Sequence, residues 1–352
     1  MGTRLIIISN LLLKIRGMNA DVDVSVTVTS PSRLHFTLID LNGELGRVDA
    51  GIGVALNEPS LKIRVSRIDS ESETENPVEV LPILKRIMER IEPELKCSYK
   101  VEILRALPHH VGLGSRTQLS LSVAKAISVL EHRDFTTHEL AKLVGRGGTS
   151  GIGTAAFDHG GFILDGGHLF RRGGGAGVKH SFLPSSASEV PPPPVLFQHP
   201  LPEDWFFVLA IPHVKRGAHG SEEIEIFKRN CPIRATEVEK LCRLILMRIL
   251  PSVIERDIYT FGESLSMIQQ IGFKKIEVGL QHHIIRELFD FFATHALGYG
   301  MSSFGPTTYG IVKGESRARE LAQHTYKFLA ERHVAGSVFY SNTNNKGSVV
   351  NY

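Results

Sequence analysis

"PHHVGLGSRTQLSLSVAKAI", Pro108 to Ile127, decides how the chain is read. Just before it, "YKVEI" from Tyr99 to Ile103 alternates polar and apolar residues, as a half-buried strand does. After it, Leu119, Val123, Ile127 and Leu130 share one helical face, with neither Gly nor Pro until the polar "EHRD". Between them, Gly112 and Gly114 let the backbone turn tightly and approach a ligand without a Cβ in the way. Ser115 and Thr117 open the helix, where unpaired amides and the dipole attract an anion. Strand, glycine loop and helix therefore predict a phosphate cradle of Gly112, Leu113, Gly114, Ser115 and Thr117. A short GxG turn also serves as a plain connector. Arg116, a planar cation facing the loop, is what tips the reading toward an anion.

Further strands are expected at Asp23–Thr29 ("DVDVSVT") and Leu61–Val65, and an amphipathic helix through Leu81, Leu84, Ile87, Met88 and Ile91. The run "EVPPPPVLFQHPLPEDW" from Glu189 favours extended backbone and marks a junction, so domains of residues 1–190 and 191–352 are expected. Beyond it, "WFFVLAIP" reads as a buried strand, "EVEKLCRLILMRILPSVIERD" and "SRARELAQHTYKFLAERHV" as helices, and "TYGIV" as a strand between them. Strands mixed with helices in this order indicate an α+β or α/β class.

The bulk numbers fit such a chain: 352 residues, 42% hydrophobic and 22% charged, suit a soluble globular protein of two domains or one unusually large one. A net charge of +3 gives no overall field of the kind nucleic-acid binding needs, so any anion must be held locally. Cys97, Cys231 and Cys242 form no CxxC pair, which points to buried, inert thiols and a reducing cytoplasm. The apolar run Leu5–Ile15 is too short to cross a membrane and lacks a cleavage site. Residues 1–17 are read as an extension ahead of Met18 or an added edge element.

Four more stretches could carry chemistry. In "SPSRLHFTLIDLNGELGRVDAGIGVAL", Ser30 to Leu56, the charged Arg33, His35, Asp40, Arg47 and Asp49 interrupt an apolar pattern, which favours a ligand site over a plain hairpin. "GYGMSSFGPTTYGIV", Gly298 to Val312, sets Ser302, Ser303 and Gly305 just ahead of a strand. In "IPHVKRGAHGSEE", Lys215 and Arg216 follow a buried strand and could meet an anion. "GRGGTSGIGTAAFDHGG", Gly145 to Gly161, offers Thr149, Ser150 and Gly151 in a polar turn. The His109–His110 and His282–His283 pairs lack zinc spacing.

Together these motifs resemble the GHMP kinase superfamily, with Pro108–Ile127 as its second motif and Gly298–Val312 as its third. More narrowly, from Val26 to Tyr340, they resemble the β-ribofuranosylaminobenzene 5′-phosphate synthases of archaea. The resemblance implies an α+β fold of two domains, the first like ribosomal protein S5 domain 2 and the second ferredoxin-like, with the site between them. It implies transfer of a phosphoribosyl group from 5-phosphoribosyl diphosphate to 4-aminobenzoate, releasing carbon dioxide and diphosphate, early in tetrahydromethanopterin synthesis. It also implies Mg²⁺, a homodimer, and neither nucleic acid nor membrane as partner.

Two departures from the kinase pattern fit that reaction. Arg116 stands where many of these kinases have a second serine, and Gly153 where several carry the aspartate that serves the acceptor hydroxyl. When an aromatic carbon attacks the ribose and carbon dioxide leaves, no alcohol has to be deprotonated. In this reading Arg116, Asp40 and Asp49 are catalytic, and Arg33, His35, Arg47, Thr149, Ser150 and Gly151 bind substrate. Ser115 and Asp40 would hold Mg²⁺ at the diphosphate. The 5′-phosphate goes either to Lys215 and Arg216 or to the Ser302, Ser303, Gly305 loop. An ATP-dependent small-molecule kinase and a non-catalytic ligand-binding homologue are the alternatives.

Overall fold

The computed structural model describes residues 25–68, 76–91, 98–146, 151–171, 178–183, 190–214 and 221–352. Its spine is one long hairpin, β1 (Ser25–Asp40) and β2 (Arg47–Ile68). The strand expected at residues 23–29 thus runs on to Asp40, and the stretch whose charges favoured a ligand site lies within this hairpin. Its register shifts at Pro31/Ser32 and at His35/Thr37, beside the charged residues that broke the apolar pattern.

The chain then forms α1 (Leu81–Ile91), β3 (Ser98–Arg105), α2 (Ser115–Leu130), α3 (Thr137–Leu143), α4 (Gly151–Asp158), β4 (Phe162–Asp165), β5 (His168–Leu169) and β6 (Val195–His199). After β7 (Trp205–Pro212) come α5 (Ser221–Asn230) and α6 (Ala235–Leu244), a π-helical turn at Ile245–Ile249, α7 (Leu250–Glu255), α8 (Ile258–Ile268), α9 (Gly272–Gly279) and α10 (His283–His295). The chain closes with β8 (Gly298–Met301), β9 (Thr308–Lys313), α11 (Glu315–Glu331), β10 (Gly336–Asn342) and β11 (Val349–Asn351). This is the α+β architecture expected from the sequence.

The first sheet runs β11-β1-β2-β4-β6, with β3 and β5 also on β2, and the second runs β10-β7-β9-β8. The sheets do not divide at residue 190: β6 follows the proline run yet pairs with β4, and β11 returns from the far end to β1.

The hairpin serves two cores. Val26, Val28, Leu61, Ile63 and Val65 pack with Leu119, Val123 and Ile127 of α2. Further along, Leu34, Phe36, Ile52 and Val54 pack against Phe207, Leu209, Phe261 and Tyr309 of the second half. Phe36 is the hub, its ring centroid 5.5 Å from Tyr309 and 6.3 Å from Phe261. The charged residues of β1 therefore sit at the seam between the two halves. Among the described residues, no helix is long and apolar enough to cross a membrane.

Candidate active site

The glycine loop is fixed before any ligand arrives. Gly114 takes the left-handed conformation (φ 81°) as N-cap of α2, and no side chain caps that end. The amide of Arg33 donates to Leu113 O at 3.1 Å, and Arg33 Nη1 donates to Gly112 O. From the other side, Ser302 Oγ donates to Gly112 O at 2.6 Å and Thr307 Oγ1 to Val111 O at 2.6 Å. Gly112 has φ 89°, and a Cβ there would fall on the carbonyl of Ser302, so only glycine fits. Buried Lys274 of α9 pins the second loop by donating to Ser303 O at 2.9 Å, while Glu277 lies 2.5 Å from its Nζ.

Positive charge gathers at this helix start. Arg146 donates to Thr117 Oγ1 at 2.9 Å. Burial pushes its guanidinium down to about 10, the charges of Arg116, Arg33 and Arg86 add to the effect, and Glu223 opposes it. Burial likewise pushes Arg33 down to about 10. Both remain cationic at neutral pH. Like charges so arranged repel one another, and the first turn of α2 carries no acidic residue to relieve them. Ser32 Oγ, Arg33 Nε, His35 Nδ1, Gln118 Oε1 and Thr154 Oγ1 are buried without a hydrogen-bond partner among the described residues. Cations beside an uncapped helix start are an arrangement that favours an anion.

A second group lies where Gly51 of β2 leaves room. A Cβ on Gly51 would sit 2.9 Å from His35 Nε2 and 3.4 Å from Asp165 Oδ2. Asp165 Oδ1 accepts the Gly167 amide at 2.9 Å. Burial pushes its carboxyl up to about 7, against the pull of that amide and of Arg47. Nearby, Asp49 bonds Lys179 at 2.8 Å and His168 at 2.7 Å, all three buried. Burial would raise the Asp49 carboxyl, but His168 and Lys179 outweigh it and hold it below the usual range. The amide of Gln118 ties the two groups together, donating to Gly153 O at 2.9 Å.

Comparison with known proteins places this geometry. Residues 82–162 match the GHMP kinases N terminal domain. A protein of Methanothermobacter thermautotrophicus named beta-ribofuranosylphenol 5′-phosphate synthase is 42% identical over 300 residues, 82% of this chain and 89% of that protein. One of the same name from Archaeoglobus fulgidus is 42% identical over 322 residues, 90% of this chain and 97% of that one. The chain belongs to the β-ribofuranosylphenol 5′-phosphate synthase family. It is accordingly an enzyme, a synthase of the pentosyltransferase type.

Solved structures agree on the fold. Homoserine kinase from Cytophaga hutchinsonii superposes with a TM-score of 0.63 at 14% identity, covering 95% of this chain and 99% of that one. Mevalonate kinase from Methanococcus jannaschii gives 0.61 at 13% identity, covering 93% and 100%.

Within this synthase fold, the sequence-derived candidates separate. Gly112, Gly114, Ser115, Arg116, Thr117, Arg33 and His35 come together at the start of α2 and the adjoining part of β1. Leu113 contributes only its carbonyl, since its side chain is core. Ser302, expected to bind phosphate, is fully buried and accepts the His35 amide at 3.0 Å while donating to Gly112, so its hydroxyl joins loops. Ser303 engages through its backbone, its amide donating to His35 O, and Gly305 shapes the same loop with φ 68°.

Three charged candidates have structural partners of their own. Asp40 Oδ1 accepts the amides of Asn42 and Gly43 at 2.7 and 3.0 Å, which locks the β1–β2 turn. Arg47 donates through Nε to Gly166 O and through Nη2 to Gly167 O, both at 2.7 Å, and so braces the turn between β4 and β5. Asp49 is neutralised inside its buried pair with Lys179. Gly151 opens α4, and its missing Cβ makes way for Asp165. Thr149, Ser150, Lys215, Arg216, Cys97 and residues 1–17 lie outside the described residues. Cys242 is exposed and Cys231 half-buried, where both were expected to be buried; burial raises the Cys242 thiol and pushes Cys231 up to about 12, which disfavours the reactive thiolate.

Sequence reasoning did not single out Asp165, Arg146, Lys179 or Lys274. "FILDGG" and "GFKKIEVG" carry no motif; only the arginine inside the glycine-rich "GRGG" offered a signal.

Proposed function

We propose that the chain transfers the phosphoribosyl group of 5-phosphoribosyl diphosphate to the ring carbon of a benzoate, forming a carbon–carbon bond and releasing diphosphate and carbon dioxide. The observation that carries this is the concentration of arginine at the start of α2. Arg33, Arg86 and Arg116 all lie close enough to act on the charge of Arg146 there, with Glu223 opposing them. Such a preorganised field stabilises charge as it grows on a departing diphosphate.

The acceptor must carry an electron donor para to its carboxylate, so that the ring carbon bearing that carboxylate is nucleophilic. The relatives are named for a phenol product, which points to 4-hydroxybenzoate; 4-aminobenzoate, expected from the sequence, is the other acceptor with the right electronics. Loss of carbon dioxide restores aromaticity. A tight arginine clamp on the acceptor's carboxylate would oppose that loss by favouring the ground state. That gives the arginines to the diphosphate.

Mg²⁺ fits only as a rider on the diphosphate. Among the described residues no three His, Cys, Asp or Glu side chains converge on a metal position, and Asp40 is committed to its turn. Ser115, at the first turn of α2, is the protein group that would reach such an ion. Bound there, the ion would neutralise the leaving group.

The deciding experiment follows carbon dioxide from carboxyl-labelled 4-hydroxybenzoate and 4-aminobenzoate, with and without phosphoribosyl diphosphate and Mg²⁺. Release that depends on phosphoribosyl diphosphate is expected. Formation of ADP from ATP with an alcohol acceptor, without that release, would make the chain a kinase instead.

A further inference from the structure

Behind the glycine loop lies a buried charged pair that the proposed reaction does not use. Lys274 of α9 is wholly buried and Glu277, one turn on, is nearly so, with 2.5 Å between Nζ and Oε2. Well-packed apolar side chains in place of such a pair commonly leave a protein as stable or more so, and stability alone does not account for it. Glu277 also balances the charge of Lys274, which leaves the pair little net field to offer an anion. What it does supply is geometry.

Lys274 Nζ donates to Ser303 O at 2.9 Å and to Met301 O at 3.4 Å. From α8, buried Gln269 accepts the Met301 amide at 3.2 Å. Ser303 carries a side chain yet has a left-handed backbone, φ 51°, and such a residue keeps that conformation only where its surroundings fix it. Here both of its backbone groups are fixed: its amide donates to His35 O at 2.8 Å, and its carbonyl accepts from Lys274. The same turn delivers Ser302 Oγ to Gly112 O, and Thr307 Oγ1 follows to Val111 O. It also sets Ser302 O in the space that a Cβ on Gly112 would need. A chain of contacts thus runs from Glu277 through Lys274 and the Met301–Ser303 turn to the glycine loop at the start of α2.

On the reading that this loop holds the diphosphate of phosphoribosyl diphosphate, we propose that Lys274, charge-balanced by Glu277, is a positioning residue for that substrate. It fixes the Met301–Ser303 turn, and through that turn the carbonyls of Val111 and Gly112, so the cradle is shaped before the substrate arrives. It touches no reacting atom. Without it the arginines stay in the chain, but the loop between them must be ordered on binding, and that ordering costs affinity.

The test separates fold from position. Lys274→Met alone leaves Glu277 buried and unpaired, and should lower the midpoint of a denaturant titration. Lys274→Met combined with Glu277→Leu removes both charges at similar volume, and should recover most of that midpoint. Affinity should not recover with it. In equilibrium dialysis with labelled phosphoribosyl diphosphate and no acceptor, the double variant should bind about tenfold more weakly than wild type or worse. KM for phosphoribosyl diphosphate should rise in parallel, and KM for 4-hydroxybenzoate should move far less. Affinity that returns together with stability makes the pair a structural support only, and overturns the proposal. Should the double variant not fold, Ser302→Ala cuts the chain of contacts one link later and leaves the pair intact. It should weaken binding of phosphoribosyl diphosphate about fivefold; unchanged affinity overturns the proposal. A wild-type enzyme that does not bind phosphoribosyl diphosphate overturns the reaction itself, whereas equally tight binding by wild type and double variant overturns only the role of Lys274.

Discussion

The start of α2 is surrounded by arginines, whereas the start of α4 is met by the carboxyl of Asp165. The first place is built mainly from one run of sequence, residues 112–117, locked by β1 and by the loop before β9. The second is assembled from Gly51, Gly151 and Asp165, the first and last of which meet only because β2 pairs with β4. A charge-binding end can be made locally from helix amides and a few cations. A carboxyl kept from ionising needs a chosen degree of burial, and burial is set by tertiary packing.

Arg33 stands between the two places, and its removal should do the most damage. Its Nη1 supports Gly112, and its buried Nε has no hydrogen-bond partner among the described residues. Arg33→Ala should cost about a thousandfold in turnover at saturating substrate. Arg33→Lys should recover little of it, because a single ammonium cannot reproduce the fork. Turnover within tenfold of wild type would mean that the cradle does not hold the reacting charge.

Asp49 should behave in the opposite way. Asp49→Asn leaves Lys179 buried with its charge uncompensated, and should lower unfolding free energy by about 3 kcal/mol in a denaturant titration. Turnover per folded molecule should change only severalfold. A turnover loss as deep as that of Arg33→Ala, without loss of stability, would restore Asp49 to the catalytic machinery.

The sequence was legible where local rules suffice. The glycine loop and α2 stand where turn chemistry and apolar periodicity placed them, and "WFFVLAIP" is β7, Trp205–Pro212. The hairpin was half read: the period of two is plain to Thr29, but Arg33, His35 and Asp40 looked like ligand groups. Two of these, Arg33 and His35, do line the seam while Asp40 caps a turn, and only the partners of each side chain distinguish these outcomes. Asp165 gave no signal because nothing in "FILDGG" states that its oxygen will face Gly51 and Gly151.

Arg116 is exposed, unlike Arg33, and should matter less. Arg116→Ala should reduce turnover about a hundredfold. Because water and salt reach this side chain, the rate ratio between wild type and variant should shrink as ionic strength rises. A ratio indifferent to salt would place Arg116 in a structural role.

The smallest effect is on stability, and it separates the two regions by sign. Asp165 ionises at about 7 in the folded chain against 3.8 as its ordinary value. Between these values the unfolded state binds fewer protons than the native one, so the stability that Asp165 contributes is fully present below about pH 4. It is lost as pH rises to about 7 and stays flat above. A three-unit shift sets a ceiling of roughly 4 kcal/mol, and its coupling to Asp49 brings the expected figure to about 2 kcal/mol. Asparagine does not titrate. Asp165→Asn should therefore match wild type in acid and melt several degrees higher at pH 8. Substituting the arginine cradle should also relieve repulsion, but without a step in this pH range. A variant no more stable than wild type at pH 8 would mean that Asp165 ionises in the native protein as it does in the unfolded chain.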